Sequence, residues 1–173
     1  MSESDEGQTG PRPDGPIGSE EQAAPQLRIV AQYIKDLSFE NPNSPRLLSA
    51  NGGQPEIGVH VDVRANKMAD GNFEIELRLT VDAKTNNEVM FMVDLQYAGI
   101  FLLQNIPEES VQPVLMIEAP RQIFPFARRI VADITRDGGF PPLMIDPIDF
   151  AGLYRRRLEQ AQQEQAEAGG LNA

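Results

Sequence analysis

The segment from Phe73 to Leu103 constrains the fold of this chain more than any other stretch. Residues 73–84 alternate apolar and polar side chains, with the apolar ones at odd positions. Residues 89–97 keep apolar side chains at the same parity, and the polar residues 85–88 separate the two runs. Successive side chains of a strand point to opposite faces, so each run has one apolar face. The pattern predicts an antiparallel β-hairpin whose two strands share that face.

The polar face of the second strand carries methionines. Met90 and Met92 stand at even positions beside Asp94 and Gln96. Two interpretations are open: another molecule covers this face, or loops of the same chain partly bury it. The expected register places Arg78 opposite Asp94, Glu76 opposite Gln96 and Thr80 opposite Met92.

Two other runs alternate in the same way. Residues 26–40 are expected to form a long strand with a bulge near Lys35–Asp36, and a helix is the alternative for this run. Residues 57–65 alternate without interruption, which gives four antiparallel strands. A long connection separates these two runs, with a proline-rich break at residues 41–45 and a glycine pair at 52–53, as turns require.

After Leu103 the apolar spacing changes to three and four residues, which is typical of helices. An irregular helix is expected after Pro107, followed by a long helix at about 121–136 that Gly138 and Gly139 end. A last helix is expected to be capped by Asp146. The predicted fold class is therefore α+β: a four-stranded antiparallel sheet with a long helix and a shorter C-terminal helix.

Charge and composition divide the chain into three parts. The net charge is −11, and residues 1–25 carry six acidic residues and one Arg among many Pro and Gly. We expect a disordered tail over 1–25, one domain over 26–158, and a flexible acidic tail over 159–173. The acidic balance argues against a nucleic-acid partner. No signal peptide and no stretch for direct membrane insertion is evident, and cysteine is absent, so a cytoplasmic protein is expected.

Catalytic patterns are sparse. His60 is the single histidine, on the polar parity of a strand, and no phosphate-binding glycine motif occurs. Glu74 and Glu76 share a strand face, but no apolar surroundings are expected to raise the pKa of either carboxyl group. We therefore expect no enzyme, no cofactor and no metal site.

Four segments of the chain resemble the SecB protein-export chaperone family, and they occur in the family's order. They are YIKDLSFENPNSP (33–45), QYAGIF (96–101), APRQIFPFARR (119–129) and GGFPPLMIDPIDFAGLY (138–154). The resemblance covers Leu27 to Leu158. It implies an ATP-independent chaperone that holds precursor proteins unfolded and delivers them to the SecA ATPase. It also implies a homotetramer, a dimer of dimers, with the long helix at the junction of the dimers.

The resemblance also implies a docking surface for SecA on the acidic face of the sheet. Asp36, Glu40, Met92 and Asp94 occupy the matching positions, and Asp94 stands where Glu is common in the family. The alternative is an ordinary solvated sheet face.

A second expected surface is apolar and binds unfolded client proteins. This expectation is based on apolar residues in proline-bounded loops, and the resemblance implies that these loops border long grooves. Ordinary loop packing is the alternative, because it would give the same pattern. A rival function is a small-molecule-binding α+β domain with a pocket between helix and sheet. The expected client-binding residues are Phe39, Pro42, Leu47, Leu48, Phe140, Leu143 and Met144, and Pro142 lies among them.

Overall fold

The structure, a computed structural model, describes residues 23–48 and 54–170, with side chains described to residue 168. Four strands form one antiparallel sheet in the order β1-β4-β3-β2. The α+β class with a four-stranded antiparallel sheet is confirmed. The strands are β1 (Gln26–Glu40), β2 (Glu56–Lys67), β3 (Phe73–Thr85) and β4 (Glu88–Gln104).

The β3–β4 hairpin closes through a two-residue turn. Asn86 and Asn87 have φ values of 49° and 63°, a left-handed conformation that Asn tolerates better than most residues. Thr85 pairs with Glu88 across this turn. A two-residue turn in this position pairs odd residues with even ones, which would set the apolar face of β3 against the polar face of β4.

A bulge at Met90 removes this conflict. Lys84 pairs with Val89, but Ala83 pairs with Phe91, so from Phe91 onward odd residues face odd residues. The predicted register is wrong as a result. Arg78 lies opposite Gln96 rather than Asp94.

Strand β1 contains two irregularities. The one between Ile34 and Asp36 confirms the bulge expected at Lys35–Asp36, and the helical alternative for this run is wrong. A second irregularity, between Ile29 and Ala31, was not expected. Between the two bulges the faces of β1 are exchanged, so Tyr33 lies on the face opposite to Leu27 and Leu37.

The helical half begins with a continuous segment that runs from Glu108 to Asp137. It consists of α1 (Glu108–Pro113), a π-helical turn (Val114–Glu118) and α2 (Ala119–Asp137). Proline lacks an N–H, so Pro113 and Pro120 each remove one helical hydrogen bond, and the wider π-helical turn lies between them. The long helix predicted at 121–136 is confirmed.

Helix α2 packs on one face of the sheet, and the core lies between them. The odd-numbered side chains of β3, and those of β4 from Phe91 onward, point into this layer. Each fully buried Val, Leu, Ile or Phe among them contributes about 1.5–3 kcal/mol. Fully buried side chains of the core include Ile75, Leu77, Leu79, Leu95, Phe101, Ile123, Val131 and Phe150.

The C-terminal helix, α3, runs from Phe150 to Gly170. Its cap is Asp149, whose Oδ1 accepts a hydrogen bond from the Gly152 N–H at 3.0 Å, so the cap expected at Asp146 is wrong. The helix also continues where a flexible tail was expected from residue 159, because Gln, Ala and Glu favour helices. The N-terminal tail expected over 1–25 lies mostly outside the described residues. Within those residues no helix is both long and apolar enough to cross a bilayer.

Candidate functional site

The face of the sheet opposite α2, here called the open face, carries the four predicted docking residues. Glu40 pairs directly with Met92, and Ser38 between Glu40 and Asp36 pairs with Asp94. Residues in direct antiparallel register point to the same face. Asp36, Glu40, Met92 and Asp94 therefore lie side by side on β1 and β4, although their docking role stays a prediction.

Asp94 is held by an arginine of the neighbouring strand. Arg78 donates two hydrogen bonds to it, from Nε to Oδ1 at 3.0 Å and from Nη2 to Oδ2 at 2.5 Å. Arg78 reaches Asp94 diagonally, since its direct partner on β4 is Gln96. These hydrogen bonds lower the pKa of Asp94 from its ordinary value, against the opposing effect of partial burial.

A second charged network crosses the open face at the other end. Lys35 Nζ lies 2.9 Å from Glu76 Oε2 and 3.2 Å from Glu74 Oε1, and the Tyr33 hydroxyl donates to Glu74 at 2.5 Å. The hydrogen bond from Tyr33 lowers the pKa of Glu74, with Lys35 adding to the effect. The same bond raises the pKa of Tyr33.

Ala98 makes this network possible. It pairs with Tyr33 on β1 and with Glu76 on β3, so it lies between them on β4. Its methyl group leaves room for the side chains of Tyr33 and Lys35 to cross β4 and reach β3. The network could not be predicted from the sequence, because the bulge between Ile29 and Ala31, which turns Tyr33 to the open face, does not interrupt the alternation of β1.

Asp36 and Glu40 differ from the open-face carboxylates of β3 and β4. Both are exposed, and neither forms an ion pair within the described part of the chain. Glu56 on β2 is a third such carboxylate, but Asp36 and Glu40 lie on the same strand, where their combined negative potential would attract a basic partner.

The predicted client-binding residues come together in part. An aromatic cluster of Phe39, Phe91 and Phe140 joins the end of β1 to the loop between α2 and α3, with ring centroids 6.0 Å apart for Phe39–Phe91 and 4.9 Å for Phe91–Phe140. Asn41 Nδ2 donates to the Gly138 carbonyl at 3.2 Å across the same junction. The described start of the first connection and the α2–α3 loop therefore form one contiguous region.

Within this region the predicted residues divide into buried and exposed ones. Leu47 and Phe140 are 5% and 7% exposed, so they pack in the core. Leu48 and Met144 are 41% and 60% exposed. Pro42 is also exposed, whereas Phe39 and Leu143 are half-buried against the core. The exposed members remain available to a client, and the role of the whole set stays a prediction.

Thr135 fixes the loop that carries Leu143 and Met144. Its side chain is fully buried, and its Oγ1 accepts a hydrogen bond from the Leu143 N–H at 2.9 Å. The same hydroxyl donates back to helical carbonyls, of which Val131 O lies at 2.9 Å. The Phe140 N–H donates to the Thr135 carbonyl at 3.1 Å. Sequence reasoning missed this anchor, whose one signal was a polar residue on the apolar side of a helix.

An open cleft of about 390 Å³ lies between edge strand β2 and α3. Its lining mixes Val61 and Tyr154 with charged groups such as Asp62 and Arg157. The space between α2 and the sheet is filled by core side chains, so the rival prediction of a helix–sheet pocket is not supported. Among the residues that the structure describes, no three His, Cys, Asp or Glu side chains are grouped to hold a metal ion.

Comparison with known proteins agrees with this architecture. Residues 20–161 match the sequence model of a family described as "Preprotein translocase subunit SecB". The chain is 56% identical over 144 residues to protein-export protein SecB of Parvibaculum lavamentivorans, which covers 83% of this chain and 86% of the relative. It is 53% identical over 146 residues to the SecB of Azorhizobium caulinodans, covering 84% of this chain and 91% of the relative.

Similarity to a solved structure supports the fold. The solved structure is that of a SecB-like chaperone of Mycobacterium tuberculosis in complex with a ChAD peptide from an antitoxin, with a TM-score of 0.55 and 16% identity. The match covers 70% of this chain and 90% of the other.

Proposed function

This chain belongs to the SecB family of protein-export chaperones, and from that premise we propose that it holds precursor proteins unfolded and delivers them to SecA in the cytoplasm. The observation that supports delivery is the placement of Asp36, Glu40, Met92 and Asp94 on the open face of the sheet. Holding needs no catalysis, because a protein that binds only the unfolded chain shifts the folding equilibrium by mass action.

SecA docking is proposed to depend on complementary charge. Exposed carboxylates attract a basic surface, speed its encounter and make the affinity depend on salt, since charges are screened beyond about 8 Å at physiological ionic strength. Asp36 and Glu40 are the strongest candidates, because no cation of the described chain pairs with either. Met92, directly opposite Glu40 and next to Asp94 on the same face of β4, offers an apolar contact.

Reversing these charges tests the docking surface. Asp36→Lys and Glu40→Lys, made separately, should each weaken SecA binding in titration calorimetry while capture of an unfolded precursor is retained. Glu56→Lys is the matched control, because Glu56 is an exposed acid on the opposite edge strand β2. If all three variants bind SecA as the unaltered chain does, the docking surface lies elsewhere.

Client binding is proposed to use exposed apolar residues of the contiguous loop region. Burying one apolar client side chain contributes about 1.5–3 kcal/mol before ordering costs, so capture needs several contacts and a long unfolded stretch. Leu48→Ser combined with Met144→Ser should weaken capture of a slow-folding precursor in its unfolded form. Equal affinity for that precursor when native would contradict the holding function; retained capture by the double variant would contradict only this groove.

The assembly is proposed to be a homotetramer built as a dimer of dimers. Phe126 on α2 is 43% exposed, and edge strand β1 exposes Val30 and Ile34. Exposed apolar side chains on a helix and on a strand edge are two separate surfaces for association. We further propose that residues 26–158 form the chaperone domain, with residues 1–25 outside it.

A further inference from the structure

Most carboxylates of the open face are already paired with a cation of their own subunit. Such pairing removes charge that a basic partner would otherwise meet. The internal pairs have N–O distances of 2.5–3.2 Å, and they are Lys35 with Glu74 and Glu76, Arg64 with Asp62, Lys84 with Asp82, and Arg78 with Asp94.

Among these pairs, only Arg78–Asp94 involves a residue of the proposed docking surface. Asp94 pairs with Ser38 on β1, so Asp36 and Glu40, two positions to either side of Ser38, are its diagonal neighbours. Diagonal neighbours in a sheet lie about 7–8 Å apart. Arg78 approaches the same carboxylate from the other side, from β3.

We propose that Arg78 is an internal counterion that limits the strength of SecA docking. It occupies Asp94 with both hydrogen bonds, so a basic group of the partner must share this carboxylate or displace Arg78. Docking then relies mainly on Asp36 and Glu40. This inference rests on the proposed docking of SecA at the open face. As a consequence, the affinity for SecA stays below the value that Asp36, Glu40 and an unpaired Asp94 would give together. A lower affinity favours release after delivery.

The test replaces Arg78 with Gln and measures SecA binding by calorimetry at low and at physiological salt. Arg78→Gln should bind about two- to fivefold more tightly, the range to which the loss of one exposed ion pair corresponds. Its affinity should also fall more steeply with salt. Arg78→Lys retains the charge and should return the affinity close to that of the unaltered chain.

A matched control removes the same charge elsewhere on the open face. Arg64 pairs with Asp62 at 3.1 Å on β2, the strand farthest from β1. Arg64→Gln should leave docking nearly unchanged. In an Asp94→Asn background, Arg78→Gln should give no more tightening than Arg64→Gln, because the proposed competition requires the Asp94 carboxylate. The unfolding midpoint of each variant verifies that it is folded.

Several results would overturn the inference. Weaker docking of Arg78→Gln would mean that Arg78 contacts the partner or orients Asp94 for it. Equal tightening by Arg64→Gln would reduce the effect to overall charge. If the unaltered chain binds SecA and Asp36→Lys weakens that binding, but Arg78→Gln leaves the affinity unchanged, only the role of Arg78 is contradicted and the proposed docking surface stands. If the unaltered chain does not bind SecA, the proposed docking fails as well.

Discussion

Replacing Phe140 with Ala separates the part of the loop region that stabilises the fold from the part that is free to meet a client. Phe140 is 7% exposed, its ring centroid lies 4.9 Å from that of Phe91, and its N–H bonds the Thr135 carbonyl. Truncating a buried Phe costs about 3–5 kcal/mol. Because Phe140 lies in a loop that can partly close the cavity, we expect about 3 kcal/mol, a roughly hundredfold shift in the unfolding equilibrium.

Urea unfolding measures this loss, and Met144→Ala is the matched control in the same loop. Met144 is 60% exposed, so its truncation should change the free energy of unfolding by about 0.5 kcal/mol or less. The proposed association of subunits would also contribute to stability, so the difference between the two variants must persist at several protein concentrations. A loss below about 1 kcal/mol for Phe140→Ala would refute the placement of this ring in the core. Phe140 would then belong with the exposed residues for which client binding is proposed.

Three other changes test the structure. Thr135→Val should cost about 1–3 kcal/mol in urea unfolding, since it leaves the Leu143 N–H without its acceptor, and Thr135→Ser should recover most of this. Asp94→Asn should lower the free energy of unfolding at neutral pH. Arg78 lowers the pKa of Asp94 in the folded state, so the stabilisation by this ion pair is present above the ordinary Asp pKa and is lost as the pH falls through the lowered pKa. The unfolding midpoints of the variant and of the unaltered chain should therefore converge in acid. Phe126→Asp should lower the sedimenting mass while the β-sheet circular dichroism is retained, and an unaltered mass would remove this side chain from the subunit interface.

The sheet was predictable because side-chain parity reports which face is buried. Parity does not determine the register. The two-residue turn at Asn86–Asn87 and the bulge at Met90 each shift the β3–β4 pairing by one residue, and together they still leave odd residues opposite odd ones. In β1 the residues Ala31 and Tyr33 continue an apolar alternation, yet the bulge before Ala31 turns both to the open face. A bulge that exchanges the two faces of a strand cannot be detected in the sequence when the residues after it can occupy either face.

The placement of the docking residues on one face was predictable from the sequence, but which of their carboxylates form ion pairs was not. The resemblance implied Asp36, Glu40, Met92 and Asp94, and the structure places them side by side. The Arg78–Asp94 contact was expected as a direct cross-strand pair and forms instead along a diagonal. Which loop residues are buried also depended on tertiary contacts, because nothing in the sequence near Phe140 indicates that Phe91 lies beneath it.

Side-chain burial along helix α3 changes at a well-defined boundary. Phe150 is buried and Tyr154 is half-buried, whereas every described side chain from residue 155 to 168 is exposed. An isolated helix of such length is marginal in water, so its amides should exchange with deuterium through local fraying rather than through global unfolding. Because Arg157 Nη1 still donates a hydrogen bond to the Val63 carbonyl at 2.7 Å, protection should fall off steeply after Arg157. A molecule that binds the outer turns of α3 would therefore have to supply the free energy that keeps these turns ordered, because the rest of the chain contributes little to it.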